Sequence, residues 1–121
     1  MNIPSVDLVK EADYCVIVSG ANADKAKDCG FSVFYGKLST APMVEQCPAN
    51  MECSMVYMLR TNSHVIVIGR IEATYMSEQY LNNGQPDYSK LSPLLWFAGR
   101  SEYIAVGKNL GQSNGVGRRI R

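Results

Sequence analysis

Apolar residues near the N-terminus recur at the spacing of a helix, and the apolar stripe consists of Leu8, Val9, Ala12 and Cys15. Ser5 precedes the stripe and is suited to cap a helix there. We expect Gly20 to end this helix in a left-handed conformation. A second, short helix is predicted over residues 23–29, because Gly30 follows as a stop signal. The two helices form a helical hairpin ahead of the strands.

Two long apolar segments dominate the middle of the chain. Residues 51–59 alternate between polar and apolar types, which predicts a buried face and a wet face that carries Glu52. Residues 64–75 are rich in β-branched side chains, and Gly69 among them predicts a bulge or the close approach of another backbone. Since the connection between the segments is short, the sequence predicts a long β-hairpin over residues 51–75.

Shorter elements flank this hairpin. Extended segments are predicted at residues 31–34, 43–45 and 94–106, a short helix at 77–81 and a turn at 82–84. The last extended segment is expected to be one strand with a kink or bulge at Gly99 and Arg100. The glycine- and asparagine-rich end, residues 108–121, is expected to be a flexible tail. The pattern therefore predicts one domain, residues 1–121, of the α+β class with an antiparallel sheet.

The small number of strands has a consequence for assembly. An antiparallel sheet of three or four strands leaves two edges open, and closing a barrel takes more strands than the pattern contains. Either a helix covers the sheet or a second copy completes it. The pattern favours a homo-oligomer, which we expect to be a dimer.

Composition narrows the class of protein. The chain has 121 residues, 46% of them hydrophobic and 19% charged, which is typical of one globular domain. A net charge of +1 provides no field that would attract nucleic acid or a membrane surface. No apolar run has membrane-spanning length and no signal peptide is visible. We expect a cytoplasmic protein that binds neither nucleic acid nor membrane.

Metal chemistry is not indicated by the residue types present. The four cysteines are Cys15, Cys29, Cys47 and Cys53. They form no Cys-x-x-Cys motif, and His64 is the only histidine, so we expect free thiols and no zinc or iron–sulfur site. Trp96 and Phe97 lie in a predicted strand, where we expect them to pack in the core.

The loop between the two predicted helices is the one candidate for anion binding. Residues 19–25 are small and open a helix, so backbone N–H groups with the ammonium of Lys25 could hold a phosphate. The alternative is an ordinary helix–helix turn capped by Asn22, which is the more common arrangement. No residue in the sequence is assigned a catalytic role.

Short motifs spread over nearly the whole chain match one family in order and approximate spacing. The matching residues are Asn2–Ser5, Asp13–Cys15, Ser19, Gly20, Asp24, Lys25, Leu91, Pro93, Leu94, Gly99, Tyr103, Gly107, Gly111 and Gly117. In addition, residues 49–53 resemble the strand entry "NLEC", and His64 with residues 68–71 resembles the pattern "H…hGxV". Jointly these motifs resemble the flavin reductase-like family, in particular its flavoredoxin type.

The resemblance implies a fold and an activity class. It implies an FMN-binding split barrel, usually a homodimer with the flavin near the subunit interface, and electron transfer through FMN. It also implies that this chain corresponds to the C-terminal portion of the family domain and lacks the N-terminal barrel strands. A separately encoded N-terminal half is one possible partner.

The resemblance also carries over individual site residues. The family often reads Ser-Gly-Arg-x-x-Asp-Lys-Phe, and the positions retained here are Ser19, Gly20, Asp24 and Lys25. Ala21 replaces the arginine and Ala26 replaces the aromatic residue. Lys25 is therefore the remaining cation for a flavin phosphate. Alternatively, Lys25 is a solvated residue or an ion-pair partner of Asp28 or Glu45.

Two functions follow as alternatives. One is an FMN-binding electron-transfer protein, which would be an FMN-dependent oxidoreductase if active. The other is a non-enzymatic, truncated module for oligomerisation or interaction. In both, we expect residues 51–75 to pair or pack with a second chain.

Overall fold

The structure is a computed structural model that describes residues 1–120, so Arg121, the end of the predicted flexible tail, lies outside the described residues. Its N-terminal part contains strand β1 (Asn2–Ile3), a 3-10 helix (Val6–Leu8) and helices α1 (Val9–Ile17) and α2 (Lys25–Asp28). The predicted helical hairpin is confirmed. None of the helices in the described part is long and apolar enough to span a membrane.

The ends of these helices differ from the prediction. Ser5 makes no capping hydrogen bond. It is buried and pairs with Pro93 in an isolated β-bridge, because the segment before α1 runs beside a later strand. Gly20 does not adopt a positive φ, since α1 already ends at Ile17 with an extended Val18. Gly30, by contrast, has the left-handed φ of 65° that suits a glycine after α2.

The predicted long hairpin is confirmed and forms the centre of the fold. Strands β4 (Ala49–Arg60) and β5 (Val65–Met76) pair antiparallel, and β1 adds a short third strand beside β4. A register shift leaves Val56 as an extra residue next to the pairing of Met55 with Gly69. A Cβ on Gly69 would lie 3.1 Å from the Cβ of Cys53 and 3.4 Å from the backbone carbonyl oxygen of Ser54. The bulge and the close approach predicted at Gly69 are thus both present.

Smaller antiparallel pairs surround this sheet. Their strands are β2 (Val33–Phe34) with β3 (Met43–Val44), β6 (Leu81–Asn82) with β7 (Gln85–Pro86), and β8 (Leu94–Phe97) with β9 (Glu102–Ala105). A 3-10 helix (Glu78–Tyr80) precedes β6, helix α3 (Tyr88–Leu91) follows β7, and a last 3-10 helix covers Val116–Ile120. The α+β class is confirmed.

The single kinked strand predicted for residues 94–106 is wrong. The chain reverses after Phe97, and Glu102 pairs back onto it, so the segment is a β-hairpin. Ser101 adopts a left-handed φ of 55° in the connection, which allows this tight reversal. The interruption at Gly99 and Arg100 is therefore a turn between two strands.

The buried core is small and contains a charged residue. Met43 and Glu52 are both fully buried, with 0% exposure. The prediction of a wet face carrying Glu52 is wrong, because protein donors replace water around its carboxylate. These donors are the backbone N–H groups of Gly36 (3.1 Å), Lys37 (3.0 Å) and Leu38 (3.0 Å) and the hydroxyl of Tyr75 (3.1 Å).

Two asparagines fix the β2–β3 pair on the main sheet. The side-chain oxygen of Asn2 accepts from the backbone N–H of Val44 at 3.2 Å. The side-chain amide of Asn50 donates to the carbonyls of Val44 (3.1 Å) and Cys47 (3.2 Å). These side chains satisfy backbone groups of β3 and of the segment after it, so β3 is held beside β1 and β4 without a continuous ladder of backbone hydrogen bonds.

The surroundings of Glu52 determine its pKa. Desolvation raises the pKa of the carboxyl, whereas the hydrogen bonds from the three backbone N–H groups and from Tyr75 lower it by more. The net effect is a lowered pKa in the folded protein. A lowered pKa means that the stabilising contribution is present above the unfolded-state pKa and is lost as the pH falls through the folded-state value.

We predict that Glu52→Gln destabilises the protein most near neutral pH. The variant cannot ionise, so its deficit in unfolding free energy against wild type should shrink as the pH falls below about 4.3, the ordinary glutamate pKa. Urea unfolding from pH 7 to pH 3 measures this deficit. Glu102→Gln, at an exposed position, is the control and should show little deficit. A Glu52→Gln deficit that stays constant over this range would contradict the assignment.

Candidate functional site

A cleft of about 570 Å³ lies between α1, α2 and the β2–β3 pair, and we call it the α1–α2 cleft. Most of its lining is apolar, and representative residues are Leu8, Ala12, Ala26, Phe31, Val33 and Val44. Small-molecule sites typically measure roughly 300–1,000 Å³ and combine apolar walls with a few polar groups. The α1–α2 cleft meets both criteria.

Lys25 is the single charged residue among the described residues that line this cleft. It is half-buried, and its Nζ donates to the carbonyl of Cys15 at 2.6 Å, in the last turn of α1. Carbonyls at the end of a helix attract cations, so α1 holds the ammonium in place. Asp28, proposed as an ion-pair partner of Lys25, instead accepts from the hydroxyl of Tyr14 at 2.8 Å.

The other three predicted site residues serve the loop itself. The hydroxyl of Ser19 accepts from the N–H of Ala21 at 3.3 Å. Asp24 caps α2 by accepting from the N–H of Lys27 at 3.2 Å, which is the role predicted for Asn22. A Cβ on Gly20 would lie 3.8 Å from the Cε of Lys25, an ordinary contact. Of the four residues, the structure brings only Lys25 to the α1–α2 cleft.

The residues of the cleft can be compared with FMN, the group that the resemblance implies. FMN combines a flat, largely apolar ring system with a phosphate. The apolar walls suit the rings and the Lys25 ammonium suits the phosphate, so the residues fit the group in kind. Within residues 1–120, no cluster of three or more His, Cys, Asp or Glu side chains could hold a metal ion.

A second cleft, of about 510 Å³, was not anticipated from the sequence. It lies between α1 and the β8–β9 pair, with Trp96, Tyr103 and Asp13 in its lining. The Tyr103 hydroxyl donates to Asp13 at 3.1 Å, and burial, followed by this hydrogen bond, raises the pKa of Tyr103. Trp96, expected in the core, is 62% exposed. The exposure of Trp96 could not be predicted from the sequence, because an apolar strand has the same residue pattern whether its face is covered or exposed.

We predict that Asp24→Ala lowers the unfolding free energy by about 0.5–2 kcal/mol, because the variant loses the cap of α2. Asp24→Asn keeps an acceptor oxygen and should stay close to wild type. Asn22→Ala is the matched control, with an expected change within about 0.5 kcal/mol, because Asp24 fills the capping role. Urea unfolding measures all three variants. A larger loss for Asn22→Ala than for Asp24→Ala would contradict this assignment of the cap.

This chain is similar in sequence and structure to known proteins. The model of the family described as "Flavin reductase like domain" matches residues 1–105. Flavoredoxin from Methanosarcina acetivorans is 40% identical, with a TM-score of 0.90 over 99% of this chain and 63% of that chain. Flavoredoxin of Desulfovibrio vulgaris (Miyazaki F) is 32% identical, with a TM-score of 0.87 over 96% of this chain and 62% of that chain.

An uncharacterized protein of Archaeoglobus fulgidus is 26% identical over 85 residues, which are 70% of this chain and 48% of that protein. This chain therefore spans less than two thirds of the length of each of these three relatives. The lack of N-terminal barrel strands stays a prediction.

Proposed function

We propose a flavin-dependent function for this chain, which belongs to the flavin reductase-like domain family. The proposed function is FMN binding with electron transfer, as in a flavoredoxin-related protein. The observation that carries it is the 40% identity to a flavoredoxin along 99% of this chain, with a TM-score of 0.90. The apolar α1–α2 cleft with its single ammonium supports it independently.

In this proposal the protein binds and orients the cofactor. The apolar walls of the α1–α2 cleft would hold the flavin rings, and the Lys25 ammonium, which now contacts the Cys15 carbonyl, would hold the flavin phosphate. Ser19, Gly20 and Asp24 shape the loop that presents Lys25. FMN, when bound, supplies the electron-transfer chemistry, and no side chain of this chain is assigned a proton-transfer step.

We predict that purified protein quenches the fluorescence of micromolar FMN and that Lys25→Ala weakens binding about tenfold. The loss of one charge-assisted hydrogen bond, worth about 1.5–3 kcal/mol, accounts for a change of this order. Fluorescence titration gives the dissociation constant. Lys27→Ala is the matched control, because it removes an equal charge from an exposed position outside the cleft.

Two outcomes would count against this proposal. Wild-type protein that leaves FMN fluorescence unchanged would overturn flavin binding. Equal weakening by Lys25→Ala and Lys27→Ala would overturn the role of Lys25 and leave flavin binding in place. Far-UV circular dichroism of both variants checks that α1 and α2 are retained.

A specific observation also favours pairing with a second chain. Beyond the short β1 pairing, β4 and β5 form a two-stranded ribbon. Its apolar side chains are 41% to 63% exposed, and they are Met55, Val56, Tyr57, Met58, Leu59, Val65, Ile66, Val67, Ile68 and Ile71. Two-stranded ribbons are marginally stable alone, and apolar patches of this kind mark interaction surfaces. We infer that the ribbon packs on a second copy, as in a split-barrel dimer.

We predict a particle of twice the 13.4 kDa monomer mass in light scattering. Val67→Lys and Ile68→Lys each place a charge on one face of the ribbon, because neighbouring residues in a strand point to opposite faces. The variant whose charge lies on the face that packs on the second copy should shift the mass to that of a monomer. Leu110→Lys, at a position 84% exposed and outside the ribbon, is the control. A wild-type monomer at working concentrations would contradict the pairing.

Together, the two measurements distinguish the alternative functions. A dimer that quenches FMN supports the flavoprotein. A dimer that does not quench FMN supports the non-enzymatic interaction module. A wild-type monomer that gains mass only with a separately encoded N-terminal half supports a split protein.

A further inference from the structure

The last turn of α1 and the end of α2 lie side by side. The Tyr14 hydroxyl donates to the carboxylate of Asp28 at 2.8 Å, and Lys25 donates to the carbonyl of Cys15 at 2.6 Å. The N–H of Cys29 in turn bonds the carbonyl of Lys25 at 3.1 Å. These contacts bring the two consecutive residues 14–15 next to the two consecutive residues 28–29.

Cys15 and Cys29 both belong to this junction. Both are free and half-buried. Burial, followed by the charge and the hydrogen bond of the Cys15 thiol, raises the pKa of Cys29, and Glu11 and Asp28 add to the effect. The contacts that join Tyr14 to Asp28 and Lys25 to Cys15 hold the two cysteines on adjoining segments of the chain.

The other two cysteines have different surroundings. Cys47 is buried in the core at 6% exposure, and burial raises the pKa of its thiol. The Cys53 thiol donates to the carbonyl of Met51, in its own strand, at 3.7 Å. Cys15 and Cys29 are thus set apart because both are partly exposed and they lie on two segments that hydrogen bonds hold side by side.

We propose that Cys15 and Cys29 form a redox pair that a small-molecule disulfide oxidises to an intramolecular disulfide. One cysteine thiolate attacks the small disulfide, forms a mixed disulfide and releases one thiolate. The second cysteine thiolate attacks the cysteine sulfur of the mixed disulfide, forms the Cys15–Cys29 bond and releases the second thiolate. Two electrons pass to the small disulfide, and the two protons lost by the cysteines end on the two released thiols.

The position of this bond gives it a consequence for the proposed site. It would close the segment 16–28, which contains Ser19, Gly20, Asp24 and Lys25. Oxidation then restricts the loop that presents Lys25 to the α1–α2 cleft. The disulfide itself is independent of flavin binding, whereas its effect on the flavin site rests on the proposed function.

Oxidation of the full chain with excess oxidised glutathione tests the pair. Titration of free thiols under denaturing conditions should fall from the four of the reduced chain to two. After alkylation and digestion with trypsin, mass spectrometry should find peptide 11–25 linked to peptide 28–37. Cys53→Ser, the matched control, should give the same linked peptides with one free thiol, whereas Cys15→Ser and Cys29→Ser should give none.

Several results would overturn the proposal. They are four free thiols after oxidation, a glutathione adduct on Cys15 or Cys29 without linked peptides, and a link that involves Cys47 or Cys53. Thermal unfolding provides a second readout: oxidation should raise the midpoint for wild type and Cys53→Ser but not for Cys29→Ser, because the bond restricts the unfolded chain.

The FMN titration, repeated on oxidised protein, separates this proposal from the proposed function. Linked peptides after oxidation, together with reduced protein that leaves FMN fluorescence unchanged, support the redox pair and count against the flavin site. FMN quenching without linked peptides supports the flavin site and overturns the redox pair.

Discussion

The buried carboxylate of Glu52 is the interaction on which the arrangement of the other elements depends. It accepts from three consecutive backbone N–H groups in the loop that starts at Gly36 and from Tyr75 on the neighbouring strand. It therefore ties the β2–β3 loop to both strands of the central hairpin. A Cβ on Gly36 would lie 2.6 Å from a Glu52 oxygen, so a glycine is needed for this approach. With Asn2 and Asn50 fixing β3, this network sets one wall of the α1–α2 cleft.

The elements that were predicted correctly from the sequence are those with a regular local pattern of apolar residues. The β-branched residues of β5 and the apolar stripe of α1 have periods that identify a strand and a helix. Glu52 could not be placed in this way, because a charged residue in an alternating strand reads as solvated. Its burial depends on N–H donors that lie far away along the chain. The hairpin of β8 and β9 was missed because the turn at Gly99 resembles a kink in one strand.

The candidate site was likewise predicted only in part from the sequence. The family motif identified the loop, but the structure assigns different tasks to its residues: Asp24 caps α2, Ser19 bonds within the loop and Lys25 lines the α1–α2 cleft. Sequence spacing cannot separate these tasks, because they depend on where α1 ends. The exposed ribbon follows from topology, since β1 pairs with β4 only at its start. The flavin proposal thus concerns the α1–α2 cleft, whereas the second-chain proposal concerns the exposed ribbon of β4 and β5.

Amide hydrogen exchange followed by NMR tests the central role of Glu52 most directly. The amides of Gly36, Lys37 and Leu38 lie in a loop outside regular secondary structure. If the Glu52 carboxylate holds them, they should exchange as slowly as the paired amides of β4 near Ala49. Exchange of these three amides at the rate of an unprotected loop, while β4 stays protected, would contradict the account.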